Sequence, residues 1–312
     1  MSEERQISPM PTRDVLAVSA SLRYSNSVRP ESFADAALVL FGHGSTVNDG
    51  SAAPVYQHAA ELRRRKIFAE VHEAFWKQEP KLTQVLQSLT QERIFFAPLF
   101  ISEGYFSEEV IPCALGFREK AAAQWSRVRS INGRKLYYCR PVGTHDGMTE
   151  VLLARAREVA EKFPFPRAPK PRETTLFIAG HGTEQNENSR KAIERQAELI
   201  QKMDLYAEVK PIFMEEAPRI PQCYALAHTK NMIVVPFFIS DGMHVEEDIP
   251  ALLGEPKRII EQRLQKGQPA WRNPTERNGK LIWYSRAVGT EPGLAEVILQ
   301  RVREAAGWEN AD

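Results

Sequence analysis

The stretch LVLFGHGSTVNDGS at residues 38–51 recurs as LFIAGHGTEQNENS at residues 176–189. In both, an apolar run ends on Gly-His-Gly. A short continuous apolar run reads as a strand buried on both faces, and the glycines after it read as a tight loop. The offset between the two is 176 − 38 = 138 residues. The same offset relates FAEVHEAFWKQEPKLTQ (68–84) to YAEVKPIFMEEAPRIPQ (206–222), and FFAPLFISEGYFSEEVIPCALG (95–116) to IVVPFFISDGMHVEEDIPALLG (233–254). A fourth pair, NGRKLYYCRPVGTHDGMTEVLL from 132 and NGKLIWYSRAVGTEPGLAEVIL from 278, is displaced by 278 − 132 = 146. Four ordered blocks at matching offsets identify a duplication. The second copy holds 146 − 138 = 8 extra residues, placed by the blocks in PKRIIEQRLQKGQPAWRNPTER.

Working outward, each copy alternates short apolar strands with helices. The expected strands of the first copy are Ala37–Phe41, Ala69–Phe75, Ile94–Ile101 and Leu136–Cys139. Those of the second are Thr175–Ala179, Tyr206–Phe213, Met232–Ile239 and Leu281–Ser285. Helices are expected near Pro80 and Glu108, with closing helices over Met148–Ala160 and Gly293–Ala306. This order predicts an α/β fold of two tandem similar domains, each a small parallel sheet flanked by helices, with a cleft between them. FPFPRAPKPR at 163–172 has four prolines in ten residues and reads as an extended linker. The expected division is an N-terminal arm or added strand (1–35), a first domain (36–162), the linker (163–173) and a second domain (174–312).

Composition narrows the function. Of 312 residues, 43% are hydrophobic and 26% charged, the balance of a soluble globular chain. A net charge of +1 gives no electrostatic footprint for nucleic acid. The run Arg63–Arg64–Arg65–Lys66 reads as a solvated helix face or a local anion contact. The three cysteines form no CxxC pair, which argues against a thiolate zinc site, an iron–sulfur cluster or a disulfide framework. No apolar run spans a bilayer and the polar start lacks a signal-peptide core, so a cytoplasmic location is expected. Walker A, GxGxxG and GxSxG motifs are absent, which removes the simplest nucleotide, dinucleotide and serine-hydrolase readings.

Chemistry collects at the strand ends of the second copy. His181 follows its first strand, Glu215 its second and His244 its third. Strands of one parallel sheet bring such residues to one rim, although they are 215 − 181 = 34 and 244 − 215 = 29 positions apart. Two imidazoles and a carboxylate suit a borderline divalent metal. The first copy is an internal control: His43 matches His181, but Lys77 stands at the place of Glu215 and Phe106 at that of His244. A cation and a hydrocarbon ring cannot bind a metal, so the working site is expected in the second copy, with His43 as an accessory residue or a local turn histidine. Glu246, Glu247 and Asp248 read either as first-turn acids of a helix or as aids to metal delivery and proton removal. Asp248 is singled out because the first copy has Val110 there. Gly143–Thr144 and Gly289–Thr290 are expected to shape strand–loop junctions, and Gly289 either packs or admits a ligand.

The motifs GHGT (180–183), FMEEAP (213–218) and PFFISDGMHVEEDIP (236–250) resemble those of the class II tetrapyrrole chelatases, the CbiX or sirohydrochlorin chelatase family, in its two-domain fused form. The resemblance covers both halves, roughly 37–160 and 174–306. It implies a lyase that inserts a divalent metal (Co²⁺, Fe²⁺ or Ni²⁺) into sirohydrochlorin or a related tetrapyrrole without nucleotide, in cobalamin or sirohaem synthesis. It implies no prosthetic group, the metal being a substrate. It carries metal-binding and insertion roles to His181 and His244, and a supporting one to Glu215. Backbone amides and Arg140 or Arg286 would meet the macrocycle's carboxylates, unless those arginines serve structural ion pairs. The expected partners are the tetrapyrrole and the metal, with no nucleic acid and no membrane. The chain is either a monomer with an internal pseudo-dimer or a homo-oligomer. Two other readings stand beside this one: a non-catalytic metal or tetrapyrrole carrier, and a metal-dependent hydrolase.

Overall fold

The computed structural model describes residues 33–46, 49–120, 122, 124–183 and 187–310. Strand β1 (Phe33–Gly42) is followed by helix α1 (Ala53–Arg65), β2 (Phe68–Phe75), α2 (Leu82–Ser88) and β3 (Arg93–Pro98). A π-helical turn (Phe106–Val110) runs into the short α3 (Ile111–Ala114), and then come β4 (Val128–Ile131), β5 (Arg134–Tyr138) and α4 (Met148–Lys162). The second half repeats this with β6 (Thr174–Gly180), α5 (Glu187–Lys202), β7 (Glu208–Phe213), α6 (Cys223–Leu226) and β8 (Asn231–Pro236). Its π-helical turn (His244–Asp248) leads into α7 (Ile249–Leu252), followed by α8 (Lys257–Gln265), β9 (Thr275–Arg277), β10 (Lys280–Tyr284) and α9 (Leu294–Ala306).

Each half is a five-stranded sheet of order β2-β1-β3-β5-β4 or β7-β6-β8-β10-β9. Four strands are parallel, and the outer one pairs antiparallel through a hairpin. The α/β fold and the parallel core follow the sequence reading. The hairpin strands β4 and β9 do not: both are short and part-exposed, with no continuous apolar run to mark them. The third strands stop at Pro98 and Pro236, short of Ile101 and Ile239, and the second strand of the latter half opens at Glu208 rather than Tyr206. Residues 33–35, expected in the arm, belong to β1, where Phe33 pairs with Phe68; residues 1–32 lie outside the described residues. Helix α8 lies in the stretch that holds the eight extra residues.

Alternation along the central strands sets the layers. Ala37, Val39 and Phe41 of β1 face one core, while Leu38 and Leu40 face another. In β6, Phe177 and Ala179 face outward to a core with Ile220, Val245 and Ile249, whereas Leu176 and Ile178 face inward. The inward faces share one continuous core with α1, α4, α5 and α9, so the two halves form a single compact unit.

Polar locks cross this shared core in matched pairs. Arg155 of α4, 3% exposed, donates through Nε to the Ala287 carbonyl (2.9 Å) and through Nη2 to the Thr290 hydroxyl (2.7 Å). Arg301 of α9, at 155 + 146, donates to the Pro141 carbonyl (3.1 Å) and the Thr144 hydroxyl (2.7 Å). This accounts for the Gly-Thr motif: its threonine receives the arginine of the opposite half. Its glycine is a packing residue, since a Cβ on Gly289 would lie 1.6 Å from the Ile239 carbonyl oxygen, and one on Gly143 would lie 2.1 Å from that of Ile101. The basic run is absorbed in ion pairs, with Arg63 bonded to Glu73, Arg64 to Glu61, and Arg65 to both Glu61 and Glu296.

Candidate functional site

The second-half rim is built from three strand ends. His181 leaves β6, and its carbonyl accepts the Glu215 N–H at 3.1 Å, which ties the loops after β6 and β7 together. The β6 loop turns at Gly182, with φ of +66°, where a Cβ would lie 2.7 Å from Cγ of Glu216. Both the left-handed backbone and this approach require glycine. The loop after β8 ends in the π-helical turn that begins at His244. These three supports bring His181 and His244 together, with ring centroids 5.1 Å apart and planes at 76°.

Hydrogen bonds fix the tautomer of both rings. His181 Nδ1 lies 2.8 Å from the Gly182 carbonyl oxygen, and His244 Nδ1 lies 2.6 Å from Asp248 Oδ2. A carbonyl and a carboxylate only accept, so each Nδ1 carries the hydrogen and each Nε2 keeps its lone pair. A histidine whose rear N–H is held by a carbonyl or carboxylate is the usual state of a metal-ligating imidazole. Both side chains are part-exposed, at 38% and 42%, so Nε2 chemistry is open to a ligand from solvent.

Glu215 is placed more loosely. Its Oε2 lies 3.7 Å from His181 Nδ1, and its side chain is 58% exposed. Among the described residues, no three His, Cys, Asp or Glu side chains are arranged to hold a metal ion. The two histidines converge; Glu215 stands beside them as an exposed carboxylate rather than a third ligand. Of the accessory candidates, Asp248 orients His244, and Glu247 is exposed in the same turn. Arg286 is held in an ion pair with Asp241 (2.8 Å), which favours the structural reading of that arginine.

The first half keeps the same geometry without the chemistry. His43 Nδ1 lies 3.0 Å from the Gly44 carbonyl, and Phe106 stands edge-on to His43 at 5.0 Å and 70°. His244 and Asp248 are replaced together, by Phe106 and Val110, so the ligand and the group that orients it are absent as a pair. The two rims are in contact through Asn188 at the start of α5, whose amide donates to the Glu103 carbonyl after β3 (2.8 Å). Arg155, Arg301 and the buried His58, whose Nε2–H donates to the Gly289 carbonyl at 2.7 Å, escaped the sequence reading. The arginines had a signal, since they recur at the 146-residue offset.

The family model named CbiX matches residues 37–159 and again 175–305. The chain belongs to the CbiX family. It is 41% identical over 279 residues to a probable sirohydrochlorin cobaltochelatase of Halobacterium salinarum, covering 86% of this chain and 91% of that one. It is 28% identical over 142 residues to a sirohydrochlorin cobaltochelatase of Methanopyrus kandleri, which accounts for 98% of the relative but 43% of this CbiX chain. One half of the duplication is thus the size of that whole protein. Among solved structures it resembles DR2241 of Deinococcus radiodurans, a multi-domain protein with structural similarity to chelatases, with a TM-score of 0.70 and 28% identity. That match covers 87% of this chain and 55% of DR2241. The cobalt complex of SirB from Bacillus subtilis shares the fold at a TM-score of 0.56, 19% identity and coverage of 87% and 95%.

Proposed function

We propose that this CbiX-family chain is a chelatase that inserts a divalent metal ion into sirohydrochlorin or a close relative, with His181 and His244 of the second half as the working pair. The observation that carries the reading is the 5.1 Å approach of two rings that both present Nε2 lone pairs. Metal insertion needs two things from a protein. The ion must be held, partly dehydrated, beside the pyrrole nitrogens. The two protons leaving those nitrogens need an acceptor. Neutral imidazoles do both, because their ordinary pKa of about 6.5 lets them bind a cation or a proton near neutrality.

In this reading the Nε2 atoms receive the ion and pass it to the macrocycle. As the ion leaves, the same lone pairs accept protons. The Asp248 carboxylate holds the His244 ring in place through its Nδ1–H, and Glu215 sets a carboxylate beside His181. Cobalt and iron are the favoured metals, and the histidine–carboxylate set also suits nickel. No nucleotide takes part. A carrier or hydrolase role has no comparable support: the named relatives are cobaltochelatases, and no preassembled three-ligand centre that would hold a resident ion is found among the described residues. No described helix is long and apolar enough to cross a membrane.

The test is an anaerobic absorbance assay with sirohydrochlorin and Co²⁺ or Fe²⁺. The wild-type protein is expected to accelerate insertion without nucleotide, and His181→Ala and His244→Ala to reduce the rate to near the uncatalysed level with the fold retained. Turnover like that of the wild type in both variants would overturn the assignment.

A further inference from the structure

The two halves differ at a second place, away from the histidine pair. In the first half, Arg127 fills a cage. Its guanidinium carbon lies 4.7 Å from the Trp125 ring centroid and 5.7 Å from that of Tyr138. Its Nη2 donates to Glu108 Oε2 at 2.6 Å and lies 3.8 Å from Glu103 Oε1. The cage recurs in the second half. The offsets place Trp271 at Trp125, Tyr284 at Tyr138, Glu246 at Glu108 and Asp241 at Glu103. The wall geometry persists, with Trp125–Tyr138 centroids at 5.7 Å and 64° against 6.2 Å and 59° for Trp271–Tyr284. The phenol oxygens also match: Tyr138 donates to the Ser107 carbonyl and Tyr284 to that of Val245, at 2.8 and 2.7 Å.

What is missing is a guanidinium at the Arg127 position; the arginine of this region, Arg286, reaches the cage from the strand end and pairs with Asp241 (2.8 Å). Asn273 stands at the position of Arg127, and its short amide is turned back on the backbone of Tyr284, donating to the carbonyl (2.8 Å) and accepting from the N–H (2.7 Å). A cavity of about 690 Å³ occupies the region, and all four cage residues line it. The stretch after α8, with Gly267 and Ala270, forms part of the wall, so the extra residues of the second copy help to build it. Trp271 is 3% exposed, and its indole N–H has no acceptor.

We infer that this cavity binds a small guanidinium-bearing molecule, which takes the place that Arg127 holds in the first half. Two aromatic faces and a carboxylate are the set that recognises a planar cation. Asp241 is engaged by Arg286, which leaves Glu246 as the partner of the incoming charge. Glu158, Asp241 and Glu246 stand against Lys162 and Arg286 on the walls, which disfavours a polycarboxylate such as the macrocycle. The inference does not depend on the metal-insertion reading.

Calorimetric titration of the full chain with propylguanidine tests it, with butylamine and propylurea as probes that lack the planar shape or the charge. Saturable binding of propylguanidine is expected, with both controls at least about tenfold weaker. Glu246→Gln is expected to weaken it by about tenfold. Asn273→Arg, which restores the occupant of the first half, is expected to abolish binding and leave Co²⁺ insertion unchanged. If that variant does not fold, Trp271→Leu replaces it, with a loss of about tenfold expected. The inference is overturned by absence of saturable binding at millimolar propylguanidine, by unchanged binding in these variants, or by loss of insertion in folded Asn273→Arg, which would assign the cavity to the chelatase cleft.

Discussion

His244 and Asp248 show how one carboxylate sets the chemistry of a ring. The 2.6 Å contact puts the imidazole hydrogen on Nδ1 and aims the basic lone pair outward. Asp248→Asn is therefore expected to lower metal affinity or insertion rate by about 10- to 100-fold, with Asp248→Glu recovering part of it; titration of Co²⁺ absorbance and steady-state insertion rates check this. His58 is the opposite case. Burial holds it below the ordinary 6.5, so it stays neutral against the Gly289 carbonyl. The unfolded chain takes up that proton near pH 6.5 and the native chain resists it to lower pH. Stability from this site is thus fully present above 6.5 and is lost as the pH falls below it. Thermal midpoints between pH 8 and 5 are expected to fall less steeply for His58→Gln. The histidine pair was legible in the sequence because strand ends bring distant residues to one rim. The His58 contact was not, because its partner is 231 positions away and is a main-chain carbonyl.

At the level of elements, the junctions after β5 and β10 leave no room for a side chain. Gly289 is pressed against the main chain of Ile239, so Gly289→Ala has no side chain to displace and must move backbone. A loss of several kcal/mol is expected, on the scale of about 3–5 for the most disruptive single changes, measurable by chemical denaturation. The repeat, the parallel strands and the closing helices could all be read from apolar runs and offsets. The hairpin strands β4 and β9 could not, because VRSI and TER are three or four residues long with no continuous apolar run, and they become strands by pairing with β5 and β10. The cage of the second half was equally hidden. Trp271 and Asn273 lie within a stretch that the sequence marks only as inserted, and their meaning appears once the first half shows Arg127 in place.

Over the whole molecule, the two sheets share one interior, and reciprocal arginines cross it. Arg155→Met leaves the Ala287 carbonyl and the Thr290 hydroxyl without a donor, and a cost of about 2–3 kcal/mol is expected from loss of charged hydrogen bonds. Arg301→Met is expected to cost a similar amount at Pro141 and Thr144. Both should lower the midpoint of a single cooperative transition rather than split it in two, as differential scanning calorimetry would show. The sequence suggested two domains about a proline-rich connector. It did not show their common core, because burial on the inner face of a strand looks the same whichever half supplies the neighbour.

The symmetry of those arginine bonds has a consequence for how such a chain can change. In a dimer of identical subunits every substitution is written twice, so a rim that loses a ligand on one side loses it on the other. Joining the copies in one polypeptide ends that coupling. Arg155 and Arg301 make matched bonds across the seam, while Lys77, Phe106 and Val110 differ from Glu215, His244 and Asp248 at the rims. In one polypeptide the seam can stay symmetric while the two mouths it joins differ.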